Sequence, residues 1–245
     1  MSALPRRHAE RPHRRQPEVS PITDDHQFSA EDAAAVYRAV ELRRDMRHFR
    51  PDPVDEDVLE RLLGAAHLAP SVGFMQPWRF VRITDPDLRR AVHGVVESER
   101  IRTAAALGER RAEFLRLKVE GILDCGELLV VALMDGRDRY VFGRRTLPEM
   151  DVASAACAIQ NLWLTARAEG LGMGWVSIFD PDALARLLAM PEGARPLAVL
   201  CLGHVDEFYD GPMLETLGWD ERRRLADLVG ENRWPDAPAV AVDGS

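Results

Sequence analysis

Two unbroken apolar runs, LLVVALM (Leu128–Met134) and LAVLCL (Leu197–Leu202), constrain this chain more than any other feature. A strand with one wet face alternates apolar and polar residues, whereas an uninterrupted apolar run leaves no face for water. Both runs are far shorter than the ~20 residues that span a bilayer. They read as strands of a sheet covered by helices on its two faces. A chain of 245 residues, 46% of them hydrophobic, is long enough to build that core as one large domain. WRFVRIT (Trp78–Thr84) and MGWVSIF (Met173–Phe179) read as further strands.

Caps and spacing mark the helices. Ser29, with Asp32 three residues on, opens a helix whose apolar positions Ala33, Val36, Tyr37 and Val40 share one side. Arg43 and Arg47 extend that stripe toward the core. Asp55 opens a second helix, with Val58, Leu59, Leu62, Leu63 and Ala66 on one face and Pro70 beyond its end. Asp85-Pro86 starts a long charged stretch, helical to about Glu120, whose weak amphipathicity predicts an excursion from the core. The alanine-rich segment Asp151–Gly170 is a helix closed by its glycine, and its small residues let another helix or a subunit come close. Asp180 and Pro181 start a short helix.

Residues 1–27, basic and proline-bearing, and residues 235–245 carry too little apolar surface to repay ordering, so both are expected as disordered tails around a domain at 28–234. No apolar segment with a small-residue cleavage site follows the N-terminus, and a cytoplasmic location is expected. A net charge of -8 and a pI of about 5.4 have the wrong sign for gripping nucleic acid, and no membrane partner is expected. Cys125, Cys157 and Cys201 lack CxxC or Cys/His spacing, which predicts core packing and no metal site. Dinucleotide, P-loop, zinc-protease and nucleophile-elbow signatures are absent.

Three segments invite a functional reading. RRDMR gathers Arg43, Arg44 and Arg47 around Asp45 and Met46. Like charges at helical spacing repel, so an anion between them is favoured, and guanidinium suits a phosphate. A solvated helix end meeting the helix dipole explains the same residues. APSVGFMQPW, with Ser71, Met75, Gln76 and Trp78, offers a hydroxyl and an amide to a flat heterocycle, or is an ordinary connector over a buried tryptophan. In GLGMGWVSI the glycines at 170, 172 and 174 permit close approach of a ligand or strand. Val176 and Ser177 follow, and the Ser177 hydroxyl either faces a ligand or is satisfied by a carbonyl.

Together, RRDMR, APSVGFMQPW, MDVASAACAIQNLWLTARAEGLGMGWVSIF and LCLGHVD resemble, in order, segments of the nitroreductase-like flavoproteins. Within that superfamily they are most similar to the branch of oxygen-dependent, flavin-fragmenting 5,6-dimethylbenzimidazole synthases. The likeness covers about Val36 to Trp234.

The resemblance implies an α+β fold with a mixed, mostly antiparallel sheet flanked by helices, and an intertwined homodimer holding FMN at the subunit interface. It implies flavin contacts from Arg43, Arg44, Asp45, Met46, Arg47, Ser71, Met75, Gln76, Trp78, Val176 and Ser177. The implied reaction consumes reduced FMN and O2, without metal, and yields 5,6-dimethylbenzimidazole, the lower ligand of vitamin B12, with erythrose 4-phosphate. Asp45 would transfer protons, its carboxylate favoured by the neighbouring arginines, and Ser177 would hydrogen-bond the ring or its oxygen adduct. The excursion at about 87–120 and the loop at 135–148 would form a lid, with Lys118 in reach of the ligand. A separate flavin reductase would supply FMNH2. Two other functions compete: an NAD(P)H-dependent nitro or quinone reductase that keeps its FMN, and a non-enzymatic flavin-binding protein.

Overall fold

A computed structural model describes residues 26–235. Both expected tails lie almost wholly outside the described residues. The chain divides into two compact units between Arg38 and Ala39.

The first helix is α1, Ala30–Leu42. Its cap forms as expected: the Ser29 hydroxyl accepts the Asp32 N–H at 3.0 Å and donates to the Asp32 carboxylate at 2.7 Å. Its apolar stripe does not behave as expected, since no residue of α1 is buried and Val36, Tyr37 and Val40 are exposed. The helix also stops at Leu42, before the arginine cluster. Residues 43–47 therefore follow a helix end and do not continue a helical face.

In the second unit α2 (Glu56–His67), α3 (Pro86–Ala106), α4 (Arg111–Arg116), α5 (Met150–Ala168), α6 (Pro181–Leu187) and α7 (Met213–Thr216) surround one sheet. Its strands are β1 (Trp78–Arg82), β2 (Glu127–Leu133), β3 (Gly172–Val176) and β4 (Arg195–Gly203), in the order β1-β2-β4-β3. Neighbouring strands are all antiparallel, and an isolated parallel bridge joins Asp45 to Met173. The mixed, mostly antiparallel α+β architecture expected from the sequence is borne out.

The apolar runs explain the layering. Along β2, Leu129, Val131 and Leu133 point into a core shared with Leu59 and Leu62 of α2 and Ile159 and Leu162 of α5. Leu128 and Val130 point the other way, toward Val92 and Val96 of α3 and Leu184 of α6. Each fully buried aliphatic side chain contributes roughly 1.5–3 kcal/mol of transfer free energy. The first half of α3 is thus core and not excursion: Val92 and Val96 lie four residues apart and are fully buried. Two cysteines follow the packing expectation, Cys125 and Cys201, while Cys157 is exposed.

Small residues decide how α5 packs. Ala155, Ala158 and Ala166 share the core with α2, and Asn161 Nδ2 donates to the Ala65 carbonyl at 3.1 Å. Gly170, with φ of +77°, ends α5, and the Leu171 N–H reaches back to the Ala166 carbonyl at 2.8 Å. The side chains of Asp55, Asp85 and Asp180 cap α2, α3 and α6. Among the described residues no helix is long and apolar enough to cross a membrane.

Candidate active site

Beyond Leu42 the chain runs extended, and alternation replaces helical spacing as the rule for what shares a side. Met46 is fully buried, and its N–H donates to the Met173 carbonyl at 2.9 Å. Asp45 and Arg47 meet across β3: Asp45 Oδ1 accepts the Trp175 N–H at 3.0 Å, and Oδ2 accepts Arg47 Nη2. Arg47 Nη2 also donates to the Trp175 carbonyl at 3.2 Å.

Close approach makes this possible. A Cβ on Gly174 would lie 2.3 Å from the Met46 carbonyl oxygen and 2.7 Å from Arg47 Nη1. A Cβ on Gly172 would lie 2.6 Å from Val205. The glycines admit the RDMR backbone to the edge of β3, one of the two uses expected for them.

These residues border a cavity of about 360 Å³ that collects Arg43, Arg44, Asp45, Arg47, Val176 and Ser177. Six of the eleven expected contact residues therefore converge. Arg47 is nine-tenths buried, and its Nε has no hydrogen-bond partner among the described residues. An unsatisfied buried donor on a cation is costly. Burial works against the charge of Arg43, Asp45 supports it, and Arg44 and Arg222 oppose it. Four arginines, Arg43, Arg44, Arg47 and Arg222, line the cavity against two carboxylates, Glu41 and Asp45, so positive charge is in excess.

The three arginines are not equivalent. Arg44 spends its guanidinium on backbone: Nη1 donates to the carbonyls of Glu41 at 2.7 Å and Arg43 at 2.8 Å, Nε to Tyr209 at 3.1 Å, and Nη2 to Asp210 at 2.9 Å. It closes the end of α1, whose last carbonyls lack helical partners. Arg43 stacks 4.5 Å from the centre of the Trp163 ring. From α5, Trp163 Nε1 takes the Arg44 carbonyl and Arg167 Nε the Leu42 carbonyl, both at 3.1 Å.

Asp45 departs from the electrostatic expectation. Burial pushes its carboxyl above the usual range, and the pull of Arg47, the Trp175 N–H and Arg43 only partly offsets this. Ser177 also departs, because β3 ends at Val176. Ser177 is exposed at the strand's exit on the cavity wall, and among the described residues its hydroxyl has no protein partner.

The second segment lies elsewhere. Met75, Gln76 and Trp78 border a separate hollow with His67, Arg139 and Tyr140. Trp78 is core, with its indole N–H directed at His67 Nδ1 at 3.4 Å. Ser71 Oγ accepts the Gln76 N–H at 3.1 Å. Phe74 and Gln76 have φ of +55° and +47°, a costly region for side-chain-bearing residues that gathers at ligand clamps. One chain does not bring Ser71, Met75, Gln76 and Trp78 to the cavity of Asp45, and Met46 faces the core behind it.

The expected lid divides in the same way. Phe114, Leu117 and Val119 of the excursion border the Asp45 cavity. The loop at 135–148 does not, because Asp151 holds it at the N-terminus of α5 through Arg137 Nε at 2.8 Å and Arg144 Nη2 at 3.0 Å. Lys118 is paired with Asp124 at 2.8 Å and is not on the cavity wall. Sequence reasoning missed Met213, Trp219 and Arg222, which close the cavity from the C-terminal side. Arg110 stacks 3.6 Å over Trp219 and donates to its carbonyl at 2.9 Å, tying excursion to C-terminal segment. Apart from the Trp219 ring, nothing local in the sequence marks them.

A family model described as the nitroreductase family matches residues 40–204. A 5,6-dimethylbenzimidazole synthase of Rhodospirillum rubrum is 44% identical over 187 residues, 74% of this chain and 87% of that protein. Another, from Rhodobacter capsulatus, is 42% identical over 190 residues, 76% of this chain and 91% of that one. Among solved structures, a BluB-like flavoprotein from Clostridium difficile superposes with a TM-score of 0.64 at 17% identity, covering 81% of this chain and 99% of its own. Nitroreductase A from Vibrio parahaemolyticus gives 0.63 at 20% identity, with 83% and 78% covered. At such identities the structures speak for the fold, and the family model with the curated relatives speaks for descent. This chain belongs to the nitroreductase family.

Proposed function

We propose that this protein is a 5,6-dimethylbenzimidazole synthase, which takes reduced FMN and O2 as substrates and releases 5,6-dimethylbenzimidazole and erythrose 4-phosphate. The observation that carries the reading is Asp45, a carboxyl held between Arg47 and the Trp175 N–H on the wall of a cation-rich cavity that also presents Ser177. Curated relatives of that name support it.

The residues present fit a phosphorylated flavin. Arg43 and Arg47, with Arg222 on the same wall, are the cations left to hold its phosphate, since Arg44 is engaged by carbonyls. Reduced flavin with O2 supplies the oxidising chemistry. Asp45 takes a proton from the sugar chain, and its raised pKa places it nearer neutrality, where a carboxyl can both accept and return a proton. Ser177, whose hydroxyl has no protein partner among the described residues, orients the ring. Phe114, Leu117 and Trp219 exclude water.

The site is completed by a second copy of the chain, so that the segment holding Ser71, Met75 and Gln76 meets the cavity of its partner. The exposed apolar face of α1 and the separation of the two hollows support this homodimer. A flavin reductase then delivers FMNH2.

Photoreduced FMN mixed with the purified protein and exposed to air should yield dimethylbenzimidazole by mass analysis. Asp45→Asn should still bind flavin and lose about 100-fold or more in product formation, as for removal of a general base. Ser177→Gly should fall in the same direction. Rapid NADPH consumption with a nitroaromatic, without loss of flavin, would favour the reductase reading instead.

A further inference from the structure

The Arg47 amide is held by a residue that no sequence motif marks. Its N–H donates to the Tyr209 hydroxyl at 3.2 Å, and that oxygen lies 2.6 Å from His48 Nδ1. The phenol oxygen thus bridges the Arg47 amide and the His48 ring, its role toward Nδ1 depending on the ring's tautomer. The two rings meet edge to face at 6.1 Å. The main chain beside this hydroxyl acts as well, because the carbonyls of Tyr209 and Asp210 take Arg44. One residue therefore grips the cluster at Arg44 by its backbone and at Arg47 by its side chain.

On its other side the segment is held by β3, through the Met46 N–H, the Asp45 carboxyl and Arg47 Nη2. The Arg47 N–H has no partner on β3 and is taken by the Tyr209 hydroxyl instead. Were Tyr209 without its hydroxyl, that amide would lose its protein partner, and Arg47 with its ion pair to Asp45 would be free to shift.

We infer that Tyr209 is a positioning residue, whose hydroxyl sets Arg47, and through it Asp45, for a phosphorylated ligand. The inference rests on the proposed function for the identity of that ligand, and on the geometry alone for the clamp.

Tyr209→Phe in the full chain tests both parts. In the ligand-free protein, hydrogen exchange followed by mass spectrometry should quicken in peptides covering residues 44–49 while β2 and β4 keep their protection. FMN affinity, read by flavin fluorescence, should fall about fivefold, the worth of one hydrogen bond, while riboflavin affinity stays unchanged. His48→Ala, which spares the Arg47 bond, should shift both readings less and in the same direction. Unchanged exchange at residues 44–49 overturns the clamp. Faster exchange with equal loss of FMN and riboflavin overturns the positioning role, because general loosening does not single out a phosphate. A wild-type protein that binds FMN no better than riboflavin sinks the proposed ligand instead. Exchange alone then decides the clamp, upheld by slow exchange in wild type and fast exchange in Tyr209→Phe.

Discussion

At the arginine-rich cavity, residues 43–47 are held from three sides, by strand β3, by Trp163 and Arg167 of α5, and by Tyr209. At the second hollow, residues 71–76 form a tight turn with two side-chain-bearing residues at positive φ and few anchors. Those anchors are the Ser71 hydroxyl, the Ser154 hydroxyl that accepts the Val72 N–H at 3.0 Å, and Phe142 packed near Gly73. The first region is positioned by direct contact with the sheet. The second is positioned at one remove, by a loop that a buried ion cluster keeps in place.

Each region can be broken at its own support. Asp151 is almost wholly buried between Arg137 and Arg144. Asp151→Ala strands those two guanidinium groups, so unfolding free energy should drop by about 3 kcal/mol or more in chemical denaturation. The damage should be centred on the second hollow, with faster proteolysis of residues 135–148. Equal loosening around Asp45 would show the two regions to be one cooperative unit. Gly174→Ala strikes the other region, because the new methyl meets the Met46 carbonyl and not a yielding side chain. A loss of about 2 kcal/mol is expected, read as a lowered melting temperature.

The smallest effect sharpens the electrostatics. The base proposed at Asp45 must be ionised to work, and burial, outweighing Arg47, holds this carboxyl above the ordinary aspartate range. Activity should therefore fall, as pH is lowered, through a value higher than that of a solvated aspartate. Arg47→Gln removes the opposing pull, so the acid limb of the kcat/KM profile should move further up in pH. The sign is reversed for folding. The native state holds this proton more tightly than the unfolded chain, so the group favours folding at low pH and costs stability as pH rises through its shifted pKa.

Much of the scaffold was readable from local signals. The runs in β2 and β4 announced a sheet covered on both faces, and Asp55, Asp85 and Asp180 marked helix starts within a residue. Where the reading failed, the deciding interaction was distant. The helical stripe through Val40 extends on paper to Arg47, yet the Met46 N–H bonds to Met173, which no periodicity near residue 46 encodes. Val92 and Val96 were hidden by the charges around them. Tyr209, Trp219 and Arg222 act on a segment far earlier in the chain, and a lone aromatic or arginine has many commoner uses. The site residues came chiefly from family likeness, which carries the order of motifs but not the division of one chain's share into two hollows.

Strand β3 stands at the end of the sheet, where open backbone groups invite pairing with a stranger. Here the Met173 carbonyl is occupied by Met46, and the Trp175 amide and carbonyl by Asp45 and Arg47. The residues proposed for chemistry thus double as guards against aggregation. Substitutions at Asp45 or Arg47 should therefore unblock a template for misassembly.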